Sequence, residues 1–392
     1  MADAADVIVV GSGLAGSATA WAAARRGLSV LVFEAFPPGH ENGSSHGSAR
    51  IFRRVYDDPL YVRLTGQAGE LWRQLEDESG QPLIHVTGGL DFGAARDLGR
   101  LHETLTACGV RADLVPPAEA RRRWPGFGFD SPVVYQPDAG ALDPDRAMSA
   151  MRGLAAGHGA RIRFGARVTD IGTAPGGGAR VRVAPEDAEF TAPVAVLAAG
   201  AWLEPLIGKL VGLPPLIVTQ EQVLHLPPRV PPGAAGDPWP AFIYEDTETC
   251  FYGLLGGRDG GIPGAVKIGE HHAGTVTTAG SRTFAIDPGG RQRTLDFAAR
   301  YLPGLDNSKV ASETTCLYTT TGNQDFILDR QGPFVIASAC SGHGAKFAPL
   351  LGEIVVGLVV GEPSPDRRFT LAAHLATGRT AGRTGRIAGP AS

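Results

Sequence analysis

The chain has 392 residues, of which 43% are hydrophobic and 19% are charged, and its formal net charge is −4. This composition is typical of a soluble globular protein with room for two domains, and the small negative charge argues against nucleic acid or an anionic membrane as partner. No apolar run is long enough to span a membrane, no basic leader precedes the first strand, and the four cysteines form no CxxC pair. These absences favour a cytoplasmic protein and argue against a disulfide framework, a zinc site and a redox dithiol.

The N-terminal segment carries a dinucleotide-binding pattern. An apolar strand over residues 6–10 runs directly into Gly11-Ser-Gly-Leu-Ala-Gly16 and an alanine-rich helix. In this arrangement Gly11 permits the tight turn, Gly13 leaves room for a pyrophosphate at the helix N-terminus, and Gly16 lets the helix lie close to the strand. The next predicted strand ends at Glu34, 18 residues (34 − 16) after Gly16, where a carboxylate can accept from ribose hydroxyls. The pattern predicts nucleotide binding; the alternative is a glycine-rich turn that binds nothing.

The remaining elements follow from hydrophobic spacing. Helical periodicity predicts helices over residues 59–78, 118–124, 147–156 and 347–360. Apolar runs predict strands over residues 87–93, 194–202 and 332–339. The strand over 194–202 ends at Gly200, where a parallel strand could pass under a bound nucleotide.

These strands lie far apart in the chain, and segments rich in polar and turn residues separate them. We therefore predict an α/β protein in which a Rossmann-like nucleotide domain is built from discontinuous segments, with an inserted α+β domain containing a mixed or antiparallel sheet. The predicted nucleotide domain comprises residues 1–85, 145–215 and 320–370, and the predicted substrate domain comprises residues 86–144 and 216–319. Residues 371–392 form a C-terminal tail that we expect to be flexible at its end.

The chain contains one dinucleotide fingerprint, and no convincing helix follows its other glycine-rich stretches. Enzymes that pass electrons from NAD(P)H to bound FAD usually have two such sites. A single site suits either a flavin oxidase or an NAD-linked dehydrogenase.

A series of further motifs carries a family resemblance. In chain order they are Gly43-Ser-Ser-His-Gly-Ser-Ala-Arg50-Ile-Phe-Arg53 with Tyr56, Glu70-Leu-Trp72, Trp124-Pro-Gly126, Tyr252-Gly, Lys267-Ile-Gly-Glu-His271, Cys316-Leu-Tyr-Thr319 and Ser341-Gly-His-Gly-Ala-Lys346-Phe. Together they resemble the monomeric sarcosine oxidase and N-methyltryptophan oxidase family over residues 5–370. The resemblance implies a monomer with FAD as cofactor. The implied reaction oxidises a secondary amino acid to an imine and reduces O2 to hydrogen peroxide.

The resemblance also implies how the cofactor is held. Cys316 matches the cysteine that binds the flavin covalently, although a free cysteine is more commonly a small buried hydrophobic residue. The other implied cofactor contacts, besides the fingerprint glycines and Glu34, are Ser44, Arg50, Val168, Gly200, Gly342, Gly344 and Lys346.

The resemblance implies three substrate-binding residues. Arg53 and Lys346 correspond to the pair that binds the substrate carboxylate, and Tyr56 lies close to Arg53 in sequence. A guanidinium offers a planar fork to a carboxylate, and an ammonium adds a compact charge. The alternative for Arg53 is a salt bridge on the surface.

Five residues are implied in the chemistry. Lys267 matches the lysine that activates oxygen, because a fixed cation favours the formation of superoxide; the alternative is a solvent-facing lysine on an alternating strand. His271 and Tyr252 match residues of the substrate site, with His272 as the alternative to His271. His46 and Arg50 are implied near the flavin ring, and a helical turn would place them on one face. A polar loop is the alternative for this last pair.

Two departures from the family leave the substrate open. Ser45 replaces a second histidine that some members have, and the loop over residues 256–264 is longer than in sarcosine oxidase and is expected to border the substrate cavity. An N-methyl amino acid, a cyclic imino acid and a larger secondary-metabolite amine all remain possible substrates. The alternative functions are a flavin dehydrogenase with a non-oxygen acceptor, an NAD(P)-linked reductase and a non-enzymatic nucleotide-binding protein.

Overall fold

The computed structural model describes residues 5–230 and 239–378. The helices of these residues, in chain order, are α1 Leu14–Arg25, α2 Pro59–Ser79, α3 Leu98–Ala107, α4 Pro117–Arg123, α5 Pro144–Gly157, α6 Leu203–Ile207, α7 Pro288–Tyr301, α8 Ala348–Val359 and α9 Leu371–Gly378. Short 3-10 turns occupy Gly200–Trp202, Gly257–Asp259, Gly344–Phe347 and Arg367–Phe369. The strands are β1 Val7–Val10, β2 Val30–Glu34, β3 Arg50–Phe52, β4 Ile84–Val86, β5 Gly89–Phe92, β6 Asp113–Val115, β7 Val133–Gln136, β8 Gly140–Leu142, β9 Arg161–Phe164, β10 Arg167–Thr173, β11 Ala179–Ala184, β12 Ala188–Ala192, β13 Val194–Leu197, β14 Ile217–Leu226, β15 Ala241–Glu245, β16 Cys250–Leu255, β17 Val266–Glu270, β18 Thr275–Val276, β19 Ser312–Thr320, β20 Ile327–Gln331 and β21 Phe334–Ser338.

A six-stranded sheet forms the nucleotide-binding half of the fold. Its strand order is β20-β21-β13-β1-β2-β9, and all neighbours are parallel except β20 and β21. Strands β1, β2, β13 and β21 are continuous apolar runs because both faces of the sheet are covered. Helices α1, α2, α5 and α8 pack in the hydrophobic cluster on one face, and strands β10–β12 with α6 pack in the cluster on the other.

A nine-stranded mixed sheet forms the other half. Its order is β18-β14-β17-β16-β15-β5-β7-β6, and β19 also pairs with β14. Only the pair of β15 and β5 is parallel among the ladders of this sheet in the described residues. A cluster rich in aromatic residues covers one face, where α7 contributes Phe297 and Tyr301. The predicted fold class, Rossmann-like with a mixed second sheet, is confirmed.

The strands of the two large sheets come from the chain segments predicted for the two domains. Strands from all three predicted nucleotide segments join the six-stranded sheet, and strands from both predicted substrate segments join the nine-stranded one. A small sheet of order β3-β8-β4 pairs strands from both groups. The domain boundaries themselves stay a prediction.

Several predicted elements differ from the observed ones. The strand predicted over 194–202 ends earlier, at Leu197. Ala198 N still donates to Val10 O, but the chain then turns away from the sheet at Gly200, whose φ is +53°. No helical turn joins His46 and Arg50: residues 46–49 form an irregular segment and Arg50 begins β3, so the two residues are not placed on one helical face. Helix α9 within the predicted tail was not expected, and residues 379–392 of that tail lie outside the described residues. Among the described helices, none has both the length and the apolarity that crossing a bilayer requires.

The first turn of α1 depends on close backbone packing at Gly16. A Cβ on Gly16 would lie 1.9 Å from Gly11 O. We therefore expect Gly16→Ala to destabilise the protein by about 3 kcal/mol or more, since backbone would have to move. Gly153→Ala is the matched control, because a Cβ on Gly153 in α5 would meet no other part of the protein within 4 Å, and it should stabilise by about 0.5–1 kcal/mol. Urea unfolding of both variants measures the difference, and equal stabilities would contradict the packing argument.

Candidate active site

A cavity of about 650 Å³ extends from the N-terminus of α1 to the nine-stranded sheet. Every residue that the sequence analysis placed at the site lines this cavity except Gly16, which packs against the turn of Gly11. The lining residues among these are Gly11, Gly13, Glu34, Ser44, His46, Arg50, Arg53, Tyr56, Val168, Gly200, Tyr252, Lys267, His271, Cys316, Gly342, Gly344 and Lys346.

The nucleotide end of the cavity lies at the start of α1. Gly11 has φ +97°, and a Cβ there would lie 2.5 Å from Ala198 O, so the turn requires glycine. Gly13 caps the helix without a side-chain hydrogen bond. Glu34 accepts from Ser12 N over 2.7 Å and from Phe36 N over 3.1 Å, which fixes its carboxylate at the end of β2. Helical N–H groups, a close glycine turn and an oriented carboxylate fit the phosphates and ribose of a dinucleotide.

Two residues at this end were not identified as ligand contacts from the sequence. Ser45, which replaces a family histidine, accepts from Leu14 N through its Oγ over 3.1 Å, directly at the helix N-terminus. Arg152 from α5 also lines the cavity, and burial lowers its pKa while Glu34 opposes that shift. Arg152 gave no signal in the sequence, because an arginine on an amphipathic helix is ordinarily a surface residue.

A group of cations lies between the nucleotide end and the nine-stranded sheet. Lys267 on β17 is 4% exposed, and its Nζ donates to Ala49 O over 3.2 Å. Arg50 donates to the same carbonyl over 2.8 Å, and its Nη2 donates to Ser44 O and His46 O. Burial, reinforced by the charge of Arg50, lowers the pKa of Lys267 to about 7. Burial and the same cations lower the pKa of His46 to about 3, so this imidazole is neutral.

Cys316 lies on β19 facing the same cavity. It stands opposite Glu221 in the ladder between β19 and β14, and its thiol is free. Burial raises the pKa of Cys316, and Arg50 and Lys267 oppose that shift. The cysteine thus lies within the electrostatic range of both cations.

Arg53 belongs to a buried chain of ionic contacts. Its Nη1 donates to Val55 O and, over 3.0 Å, to Asp91 Oδ1. Asp91 also accepts from Arg96 over 2.6 Å, and Arg96 lies 3.7 Å from Glu245. Both bonds of Arg53 use Nη1, so the rest of the guanidinium fork is left to the cavity. The surface salt bridge considered for Arg53 is wrong, since Asp91 is 1% exposed.

Lys346 and Tyr56 form a hydrogen-bonded chain with His343. Lys346 Nζ donates to Tyr56 OH and to His343 O, each over 2.9 Å. The Tyr56 hydroxyl lies 3.1 Å from Nδ1 of His343. The other ring nitrogen of His343, Nε2, lies 3.2 Å from Gln324 O. Burial and the charge of Arg53 lower the pKa of Lys346 well below its usual range. A bound carboxylate would supply the negative charge that restores its proton.

Tyrosine and histidine rings complete the wall beside Arg53 and Lys346. His271 Nδ1 lies 3.4 Å from Tyr318 OH, and burial lowers the pKa of His271, so the ring is neutral. Burial raises the pKa of Tyr252 and of Tyr318, so both phenols stay protonated. Gly342 has φ +75°, and a Cβ there would lie 2.6 Å from both the His271 and the Tyr318 ring. His271 lines the cavity and His272 does not, which agrees with the choice of His271.

Sequence reasoning missed Asp91, Tyr318, His343 and Asp259 as members of the site or of its hydrogen-bonded surroundings. Tyr318 lies in the motif that begins at Cys316, and His343 lies in the motif that ends at Lys346-Phe. Their position within these family motifs could have identified them as site residues. Asp91 is one acid within a buried strand, and Asp259 is the residue of the loop over 256–264 that lines the cavity. The expectation that this loop borders the cavity agrees with the structure through that residue.

Comparison with known proteins gives consistent findings. The model of a family described as FAD dependent oxidoreductase matches residues 6–358. The chain is 30% identical over 366 residues to monomeric sarcosine oxidase of Bacillus sp. (strain B-0618), covering 91% of this chain and 92% of the relative. It is 32% identical over 367 residues to monomeric sarcosine oxidase of Streptomyces avermitilis, covering 91% and 93%. It is 29% identical over 372 residues to N-methyl-L-tryptophan oxidase of Yersinia pestis (strain Pestoides F), covering 92% and 96%.

Solved structures agree at the level of the fold. NikD, described as an unusual amino acid oxidase essential for nikkomycin biosynthesis, superposes with a TM-score of 0.79 at 27% identity, covering 94% of this chain and 97% of NikD. L-proline dehydrogenase from P. horikoshii gives a TM-score of 0.79 at 20% identity, covering 96% and 99%, and this similarity concerns the fold alone.

Proposed function

The chain belongs to the FAD-dependent oxidoreductase family, and we propose that it is an FAD-dependent oxidase of a secondary amino acid. The N-methyl and cyclic amino acids are the substrate classes, and O2 is the acceptor. The observation behind the proposal is that Arg53 and Lys346 line one cavity together with Tyr252, His271 and the buried Lys267.

The residues of the cavity fit FAD. The N-terminus of α1 would hold the pyrophosphate, Glu34 the ribose, and Val168, Gly200, Gly342 and Gly344 would border the cofactor. When bound, FAD supplies the two-electron oxidation of the amine C–N bond and passes these electrons to O2. We propose that Cys316 attaches it covalently, which is supported by the position of this free thiol in the same cavity.

The cations at the substrate end bind and orient the amino acid. The free part of the Arg53 fork and the third N–H of Lys346 are available to the substrate carboxylate, because their other donors are used within the protein. A neutral His271 can accept a hydrogen bond from the amine and thereby orient it. The protonated phenols of Tyr252 and Tyr318 close the wall without adding charge.

Lys267 serves the oxygen step in this proposal. Its Nζ is anchored to Ala49 O and leaves two N–H donors for the cavity. A fixed, buried cation stabilises the negative charge that develops as O2 takes up its first electron.

The substrate class is tested by anaerobic reduction. The purified protein is offered sarcosine, N-methyltryptophan, other N-methyl amino acids, proline, pipecolate and, as the primary-amine control, glycine. We expect loss of the visible flavin absorbance with one or more secondary amines and none with glycine. Bleaching by glycine but by no secondary amine would contradict the proposed substrate class.

Cys316→Ser tests the covalent link. We expect acid precipitation to leave flavin on the wild-type protein and to release it from the Cys316→Ser variant, because the hydroxyl does not form the thioether. Cys340→Ser is the matched control, since Cys340 is a second free cysteine lining the same cavity. Flavin released equally from all three proteins would contradict covalent attachment. The monomeric state and the cytoplasmic location stay predictions.

A further inference from the structure

The loop over residues 256–264 is docked onto the segment that carries Ser48. Ser48 donates to Asp259 Oδ1 through its N, over 3.1 Å, and through its hydroxyl. In return, Arg258 N donates to Ser48 Oγ over 2.6 Å. Gly257 has φ +69°, and a Cβ there would lie 2.4 Å from Ser48 Oγ, so the close approach requires glycine. Arg258 also forms an ion pair with Asp143, which ties the loop to the start of α5. These contacts fix the Asp259 carboxylate at the cavity wall.

The carbonyl of Ala49, the residue after Ser48, is hydrogen-bonded by two cationic side chains. Ala49 O accepts from both Lys267 Nζ and Arg50 Nη1. Within residues 5–230 and 239–378, neither cation has a carboxylate at ion-pair distance. Two positive charges in one buried site disfavour each other, so the protonation of Lys267 needs a compensating negative charge.

Groups from several elements face Lys267. They are His46 before β3, Arg50 on β3, Asp145 on α5, His225 on β14, Asp259 in the loop and Cys316 on β19. The two histidines are neutral, because burial lowers the pKa of His46 to about 3 and that of His225 to about 4. Two carboxylates remain, and of these Asp259 raises the pKa of Lys267 more than Asp145 does. The interaction is mutual: burial raises the pKa of Asp259, but Lys267 and the bonds from Ser48 outweigh it and lower that pKa.

We propose that Asp259 is a positioning residue: its carboxylate, held by Ser48 beyond ion-pair contact, is the counter-charge that favours the protonated form of Lys267 beside Arg50. The proposal rests on the oxygen role proposed for Lys267. A direct salt bridge would occupy the N–H donors of Lys267 and weaken the positive potential it presents to the cavity. A carboxylate farther away favours the proton while leaving those donors free. The loop over residues 256–264 would thus adjust the oxygen site rather than merely border the cavity.

The chain offers a direct test because it contains only four lysines, Lys209, Lys267, Lys309 and Lys346. Protein labelled with ¹³C at lysine Cε is titrated with pH in ¹H–¹³C correlation spectra, and each signal is assigned by replacing its lysine with arginine. We expect Asp259→Asn to lower the titration midpoint of Lys267 by about one pH unit, a tenfold loss of proton affinity, and to leave Lys346 unchanged. Asp145→Asn should shift Lys267 less, and Asp259→Glu should restore the wild-type midpoint.

The titration midpoints of Lys267 and Lys346 decide the role of Asp259 independently of oxidase activity. An unchanged Lys267 midpoint in folded Asp259→Asn, or equal shifts of Lys267 and Lys346, would overturn the role of Asp259. If Asp259→Asn does not fold, Asp259→Ser takes its place, since its hydroxyl can still bond Ser48 without the charge. The titration does not depend on turnover. A shifted midpoint in a protein that reduces no O2 would therefore support the role of Asp259 and contradict only the oxidase proposal.

Discussion

Lys267→Met is expected to slow the reaction of the reduced enzyme with O2 by about 10²- to 10³-fold, the effect of removing one preorganised electrostatic group. Reduction of the enzyme by substrate should change little, because the carboxylate-binding cations and His271 remain. Methionine keeps the length of the side chain but carries no charge. Stopped-flow mixing of reduced protein with O2 measures the first rate, and anaerobic mixing with substrate measures the second.

The pH dependence provides a further check on Lys267. Since burial lowers the pKa of Lys267 to about 7, the cation is lost as pH rises through that region. The rate of the wild-type reaction with O2 should therefore fall as pH rises through about 7, and the Lys267→Met rate should not follow this profile. Lys309→Met is the matched control, because the Lys309 side chain is 73% exposed. A Lys267→Met variant that reacts with O2 at the wild-type rate would contradict the assignment.

Arg53→Leu is expected to raise KM by about 10²- to 10³-fold, with a smaller effect on the maximal rate of flavin reduction, since truncating one partner of a buried, charge-assisted contact costs about 2–5 kcal/mol. The loss also leaves Asp91 without its bond from Arg53, although Arg96 still donates to it. Initial rates over a range of substrate concentrations separate KM from the maximal rate.

The same variant changes the protonation of Lys346. Because the charge of Arg53 contributes to lowering the pKa of Lys346, its removal raises that pKa, and KM should keep its low-pH value to a higher pH than in the wild type. Arg53→Lys should recover part of the affinity, since it restores the charge but not the fork. Arg63→Leu, at an exposed position on α2, is the matched control. A KM that is unchanged in Arg53→Leu would show that the carboxylate binds elsewhere.

The nucleotide end could be predicted from the sequence because its signals are local. The strand, the glycines and Glu34 lie within one βαβ unit, and the structure shows a backbone reason for two of the glycines: Gly11 approaches Ala198 O and Gly16 approaches Gly11 O. The motif residues Arg53, Lys346 and Lys267 were found through the resemblance, which compares whole motifs rather than contacts.

The partners of those residues could not be predicted, because they come from distant segments. Arg53 donates to Asp91, which lies 38 residues later in the chain, and helical or strand periodicity does not predict contacts at such a separation. The contact between His343 and Gln324 O, 19 residues apart, is of the same kind. The contact between Arg50 and His46 does not follow from their spacing either. A four-residue separation suggests a helical turn, but here Arg50 reaches back to His46 O from the start of a strand. Backbone geometry, rather than spacing, decides such contacts.

Hydrogen peroxide release in air distinguishes an oxidase from a dehydrogenase. Purified protein is supplied with the secondary amine that best bleaches its flavin, and peroxide is measured together with substrate consumption. We expect one hydrogen peroxide formed for each amine oxidised, without any added electron acceptor. Flavin reduction by the amine with no peroxide in air, and turnover only with an added dye or quinone, would contradict the oxidase and identify a dehydrogenase of the same fold.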